Sequence, residues 1–230
     1  MKAPVERARF RAAITATVLG VALTPWFLVV NALSSVQPDQ PAPTDPSSAY
    51  VAFYVQNADR IAWNVTLMTV MWAILLGTVV AVVRAATARL DTAAVAAVSL
   101  ATAAVGAYVV AEGVLAWPVV QGARTEQALT QSLDAEVAKA LVESRDGLHA
   151  PAAVLLGLAV LVTAWLLFRG RLWGHWVTAG VSVMSGALAL SSVVVGPEGL
   201  GPGLIVLVWV VVVPVMLLIG LWRQRRTPQD

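Results

Sequence analysis

No cysteine occurs in the 230 residues. That excludes disulfides, a thiolate nucleophile and any cysteine metal site. Histidine is almost as scarce: His149 and His175 are the two present, too few for a histidine cage or a paired haem ligation, so neither metal nor cofactor is expected. Charged residues make up 12% of the chain, about half the roughly 25% of a soluble domain. No P-loop occurs, no GxGxxG follows a strand, and neither HExxH nor GxSxG is found, so nucleotide binding and the common hydrolase chemistries lack their signatures. No basic soluble patch exists for nucleic acid. The apolar stretches carry neither the repeated charges of a pump or channel nor an inverted repeat with broken helices.

What the chain has instead is apolar length. Hydrophobic residues reach 59% and mean hydropathy is +0.78, a surplus that must face lipid. A crossing needs about 20 apolar residues for about 30 Å of hydrocarbon. Six stretches meet that, at about 12–33, 61–83, 92–117, 148–168, 172–195 and 204–222. The expected fold is all-α, a single polytopic membrane bundle of six transmembrane helices with extracytoplasmic amphipathic helices. The first stretch resembles a signal peptide with small residues near Ala32-Leu33-Ser34, but it exceeds the 7–15 residues of a signal core and reads as a retained span, kinked at Pro25. Were it cleaved, five spans would remain. The third, rich in Ala, Gly, Ser and Thr, is expected at the centre of the bundle, where small residues let helices approach closely, and Pro118 is expected to end it.

Two polar segments interrupt the spans. Residues 34–60 open with SSVQPDQPAPTDPSS, a loop by composition. They continue through AYVAFYVQNADR, where Tyr50, Phe53 and Tyr54 recur at helical spacing and predict an interfacial helix with an aromatic belt, or a lid over an outward cavity. Residues 119–147 predict an acidic amphipathic helix lying on the membrane surface or capping the bundle. Charge sets the orientation. Lys2, Arg7, Arg9, Arg11, Arg84, Arg89, Arg169, Arg171, Arg223, Arg225 and Arg226 fall on the side of both termini, leaving Arg60, Arg124, Lys139 and Arg145 of the fifteen basic residues on the other. The positive-inside rule then makes both termini cytoplasmic, in a bacterial cell membrane.

Chemistry-bearing residues are few. Glu112 is a carboxylate inside an apolar span, which is costly and by default suggests function. It is expected either to pair with Arg60, Arg124 or Asn64, or to stand as a buried acid that relays a proton. Asp59 and His149 complete the candidate catalytic set, with Asp146 three residues before His149 as its orienting partner. Asn31, Asn64, Trp72 and Tyr108 are candidate pocket residues at or near the outer ends of spans, where converging polar groups in an apolar setting resemble a small-molecule site.

The segment WLLFRGRLWGHWVTAGVSVMSGALAL, Trp165 to Leu190, followed by a Gly/Pro turn and a last helix ending in GLWRQRR, resembles an uncharacterised six-helix bacterial membrane family, the domain-of-unknown-function family four-three-eight-six. The placing of the two polar segments is similar as well. The resemblance implies architecture and no activity. Expected partners are membrane lipid, a small hydrophobic molecule or a protein subunit, with no nucleic acid. The leading expectation is an accessory subunit, or a binder of a lipid or small hydrophobic ligand in its outer half. The alternative is a small intramembrane enzyme of terpene-cyclase type on an isoprenoid or lipid, with Glu112 as general acid.

Overall fold

A computed structural model describes residues 2–35, 40–42, 44–87, 91–124, 135–172, 174–195 and 201–226. Among these there is no strand. The elements are α1 (Lys2–Ser35), α2 (Ser47–Ala86), α3 (Thr92–Val109), a π-helical segment (Val110–Ala116), α4 (Trp117–Arg124), α5 (Ala135–Gly170), α6 (His175–Val195) and α7 (Gly201–Arg226). Five segments of the described chain are long and apolar enough to cross a membrane: Pro4–Val30, Ser47–Ala86, Thr92–Gln121, Ala135–Gly170 and Val208–Arg226. The remaining expected span corresponds to α6, of 21 residues. The turn at 196–200, Trp173, Arg89 and residues 125–134 lie outside the described residues.

The polar segments differ from expectation. Residues 47–60 form no separate interfacial helix: they are the first third of α2, a continuous 40-residue helix, about 60 Å long at 1.5 Å per residue. Residues 135–147 are likewise the start of α5, which runs unbroken for 36 residues. Asp59-Arg60 and Glu143 to Asp146 are polar, but polar side chains on an exposed face leave the helix backbone bonds intact. Pro151 sits inside α5 and removes one donor without breaking it. Pro118 does not end its helix either, because α4 carries it on to Arg124. A proline ring crowds the carbonyl four residues back. The turn before it widens to the π form, with the Trp117 N–H donating to the Glu112 carbonyl five residues earlier.

The chain divides into two compact units. The first comprises Met1–Pro25, Trp72–Val105 and Ala153–Asp230; the second comprises Trp26–Met71 and Gly106–Ala152.

In the first unit, contacts run through small residues. Ala94, Ala97, Ala101 and Ala104 of α3 are fully buried, an i, i+3, i+7, i+10 stripe on one helix face. Val95 on another face is 54% exposed, so α3 packs through one stripe and is not enclosed as a central helix would be. A Cβ on Gly20 would collide with the Val210 carbonyl of α7. A Cβ on Gly157 would stand 3.0 Å from the Gly186 carbonyl, and one on Gly186 2.9 Å from that of Gly157, so α5 and α6 meet almost backbone to backbone, as small residues allow in membrane helices. The indole of Trp209 donates to Ser182 Oγ at 2.8 Å, linking α7 to α6. The helix ends are tied down by charge. Arg9 donates to the Ala85 and Ala86 carbonyls at 2.9 and 3.1 Å, satisfying acceptors that the last turn of α2 leaves open. Asp91 caps α3 by accepting from the Ala94 N–H at 2.9 Å, and its other oxygen meets Arg169 at 2.9 Å.

The second unit is built on aromatic and branched side chains. Tyr50, Tyr54, Ala58, Ile61, Ala62 and Val65 form one stripe of α2, packed with Val119 and Val120 of α4 and Ala138 and Val142 of α5. Tyr50 and Tyr54 are therefore core residues, not an interfacial belt. The described part of the preceding loop binds along α5. Ser47 Oγ donates to Glu136 at 2.8 Å, Lys139 donates to the Asp45 carbonyl at 2.9 Å, and Gln40 reaches Asp146 at 3.2 Å.

Candidate functional site

The second unit encloses the one candidate that the geometry strengthens. Glu112 rides on the π-helical segment and is 1% exposed. Its Oε1 accepts from Arg145 Nε and from His149 Nε2, each at 3.0 Å. A carboxylate oxygen engaged by a guanidinium can only accept, so the His149 Nε2 carries the hydrogen on this contact. Its Oε2 is buried and has no hydrogen-bond partner among the described residues.

Glu112 thus pairs with neither Arg60 nor Asn64. The Arg124 side chain lies outside the described residues. The reason for Arg145 and His149 is local. Because α5 is continuous through Gly147, these residues stand at i and i+4 on one face, and both reach the same carboxylate. Asp146, one residue on, turns away from that face. It meets Arg145 Nη1 at 3.5 Å and accepts from Gln40, and His149 takes Glu112 instead of Asp146 as its acidic partner. Two aromatic rings complete the surroundings. Tyr108 stacks on His149, with centroids 5.2 Å apart and planes 17° from parallel, and the buried Tyr54 ring lies near enough for its hydroxyl to feel the Arg145 charge. Arg145 and Tyr54 are the site residues that sequence reasoning passed over. The signal was present as the Arg145/His149 spacing, but it has meaning only once 135–147 and 148–168 are one helix.

The other candidates separate. Tyr108 joins the site through His149. Asp59 lies on an exposed face of α2, away from the Tyr50–Tyr54–Ala58 stripe. Asn64 is half-buried on the same helix. Trp72 belongs to the first unit, whereas Asn64 and Tyr108 belong to the second, and the Asn31 side chain lies outside the described residues. Among the described residues, no three His, Cys, Asp or Glu side chains gather where a metal could sit.

Chemically, this is a buried ion pair whose carboxylate keeps one oxygen in reserve. Breaking such a pair by removing one partner costs about 3–5 kcal/mol, so it fastens the π-helical turn to α5. The unsatisfied Oε2 is costly in an apolar setting, and any hydroxyl, amine or water donor placed against it is favoured. Comparisons with protein-family models, with curated proteins and with solved structures give no match to this chain.

Proposed function

We propose that the chain is a polytopic protein of a bacterial cell membrane, with both termini cytoplasmic, and that it binds a lipid or small hydrophobic ligand through its second unit as an accessory or ligand-carrying subunit. The observation that carries this reading is the buried Glu112 Oε2 without a donor among the described residues, beside a His149–Tyr108 ring stack. An apolar molecule with one hydroxyl or amine matches such surroundings: its body replaces lipid contacts and its donor satisfies the open acceptor. The orientation is supported by charge, with eleven of fifteen basic residues on the side of the termini. The expected six-span layout and its likeness to the domain-of-unknown-function family four-three-eight-six fit the same reading.

The test is mass spectrometry of small molecules that copurify with gently solubilised wild-type protein and with Glu112→Leu. A specific apolar alcohol or amine retained by the wild type and absent from Glu112→Leu supports the proposal. Nothing beyond bulk phospholipid on either protein refutes it. A species that accumulates unreacted on Glu112→Gln, and appears as a product with the wild type, transfers the reading to an intramembrane enzyme on an isoprenoid or lipid.

A further inference from the structure

The first unit carries a groove that the Glu112 site does not involve. Its walls are the second half of α5 and the first half of α6, with Leu161, Trp165 and Phe168 on one side and Trp176, Gly180 and Met184 on the other; its volume is about 540 Å³, within the roughly 300–1,000 Å³ typical of ligand clefts. The lining is almost wholly apolar, and Trp176, at 69% exposure, stands open at its mouth. Phe168 and Trp176 close one end with an edge-to-face contact at 4.8 Å. A Cβ on Gly180 would meet nothing within 4 Å, so the absent side chain leaves room in the groove itself.

The turn that joins the two walls is basic. Arg169 is engaged by Asp91, but Arg171 is exposed and has no acidic partner among the described residues. Arg171 also holds φ at 46°, the left-handed region where glycine is the least strained choice. An exposed arginine in a glycine position, three residues after Phe168 in the turn that joins the two walls of the groove, is charge complementarity for an anion attached to an alkyl chain.

We propose that this groove seats one acyl chain of an anionic phospholipid, with the lipid phosphate against Arg171. Basic sites between membrane helices recognise anionic headgroups in this way, and the aromatic walls distinguish the chain's seat from bulk lipid contact.

The test uses the full chain, delipidated in detergent and titrated with phosphatidylglycerol or phosphatidylcholine of identical acyl chains, with bound lipid counted by native mass spectrometry. The wild type is expected to retain phosphatidylglycerol preferentially. Arg171→Gln should weaken phosphatidylglycerol by about fivefold, the factor corresponding to roughly one surface cation, and leave phosphatidylcholine unchanged. Gly180→Leu, which fills the groove from an open position, should weaken both lipids. Equal retention of the two lipids by the wild type, or phosphatidylglycerol binding unaltered in either variant, overturns the proposal. So does a dimer that Gly180→Leu dissociates without any lipid preference, which would make a second copy of the chain the occupant.

Discussion

The two units hold helices together by different chemistry. In the first, buried contact is made by Ala94, Ala97, Ala101 and Ala104 and by the Gly157–Gly186 approach. Its buried hydroxyls on Thr78, Thr163 and Ser182 bond carbonyls four residues back on their own helices. In the second, the core is Tyr50, Tyr54 and branched aliphatics, and its strongest fastening is the charged contact of Glu112 with Arg145 and His149. The contrast follows from the side chains each unit supplies. Lipid offers no hydrophobic driving force between helices, so close backbone approach has to supply van der Waals contact. The second unit, with exposed charges on Asp59, Arg60, Glu143 and Asp146, buries large apolar side chains and anchors them with an ion pair.

The sharpest way to break the comparison is Arg145→Met. It removes the guanidinium from a buried carboxylate and should destabilise the protein by about 3–5 kcal/mol. The double variant Arg145→Met with Glu112→Leu should recover most of that loss, because the uncompensated charge is gone. Denaturant unfolding followed by tryptophan fluorescence reads both. A double variant no better than Arg145→Met alone would show that packing, not charge, fastens this turn.

The corresponding break in the first unit is steric. Gly186→Ala places a Cβ 2.7 Å from the Leu161 side chain and 2.9 Å from the Gly157 carbonyl, and overpacking of this kind costs roughly 1–3 kcal/mol. Gly106→Ala, in the part of α3 that belongs to the second unit and with nothing within 4 Å of the new methyl, should instead gain about 0.5–1 kcal/mol from helix propensity. Thermal melts of the two variants should move in opposite directions. Shifts of the same sign would mean that the close approach of α5 and α6 does not govern stability there.

Arg171→Gly sharpens the comparison at the groove. Relieving a left-handed arginine should stabilise the chain by about 1 kcal/mol, while lipid retention falls as it does for Arg171→Gln. A gain in melting temperature with a loss of phosphatidylglycerol would mark Arg171 as kept for binding at the expense of stability. A loss of both would mark it as structural.

How much of this was legible beforehand depends on the kind of signal. Apolar length is local, and the long helices follow from it. Helix continuity is not read from polarity: Asp59-Arg60 and Arg145-Asp146 look like span boundaries but are mid-helix charges. Tyr50 and Tyr54 read as a membrane belt because aromatic spacing is the same for a core stripe, and the core assignment needs Val119, Val120 and Val142 facing them. Glu112 stood out as costly, yet its partners depend on the register of α5 against the π-helical turn, which no local pattern encodes. Arg9 reads in the sequence as an orienting charge, and only the fold shows that its guanidinium also satisfies the carbonyls that end α2.

The smallest effect separates two roles carried by one side chain. Asp91 accepts from the Ala94 N–H as the cap of α3 and meets Arg169 across the turn. The ion pair is exposed, with the Arg169 side chain 63% accessible, and pairs of this kind contribute about 0.2–1 kcal/mol, less in salt. Asp91→Asn keeps a capping oxygen and loses the charge, so it should cost about 0.5 kcal/mol or less, and the difference should vanish at high ionic strength. Asp91→Ala loses the cap as well and should cost about 1 kcal/mol, a difference that salt does not erase. Melting curves of both variants at low and high salt resolve the two contributions. If Asn proves as costly as Ala at low salt and both costs fall at high salt, the charge is the larger role, and the first unit then depends on electrostatics more than its alanine and glycine contacts imply.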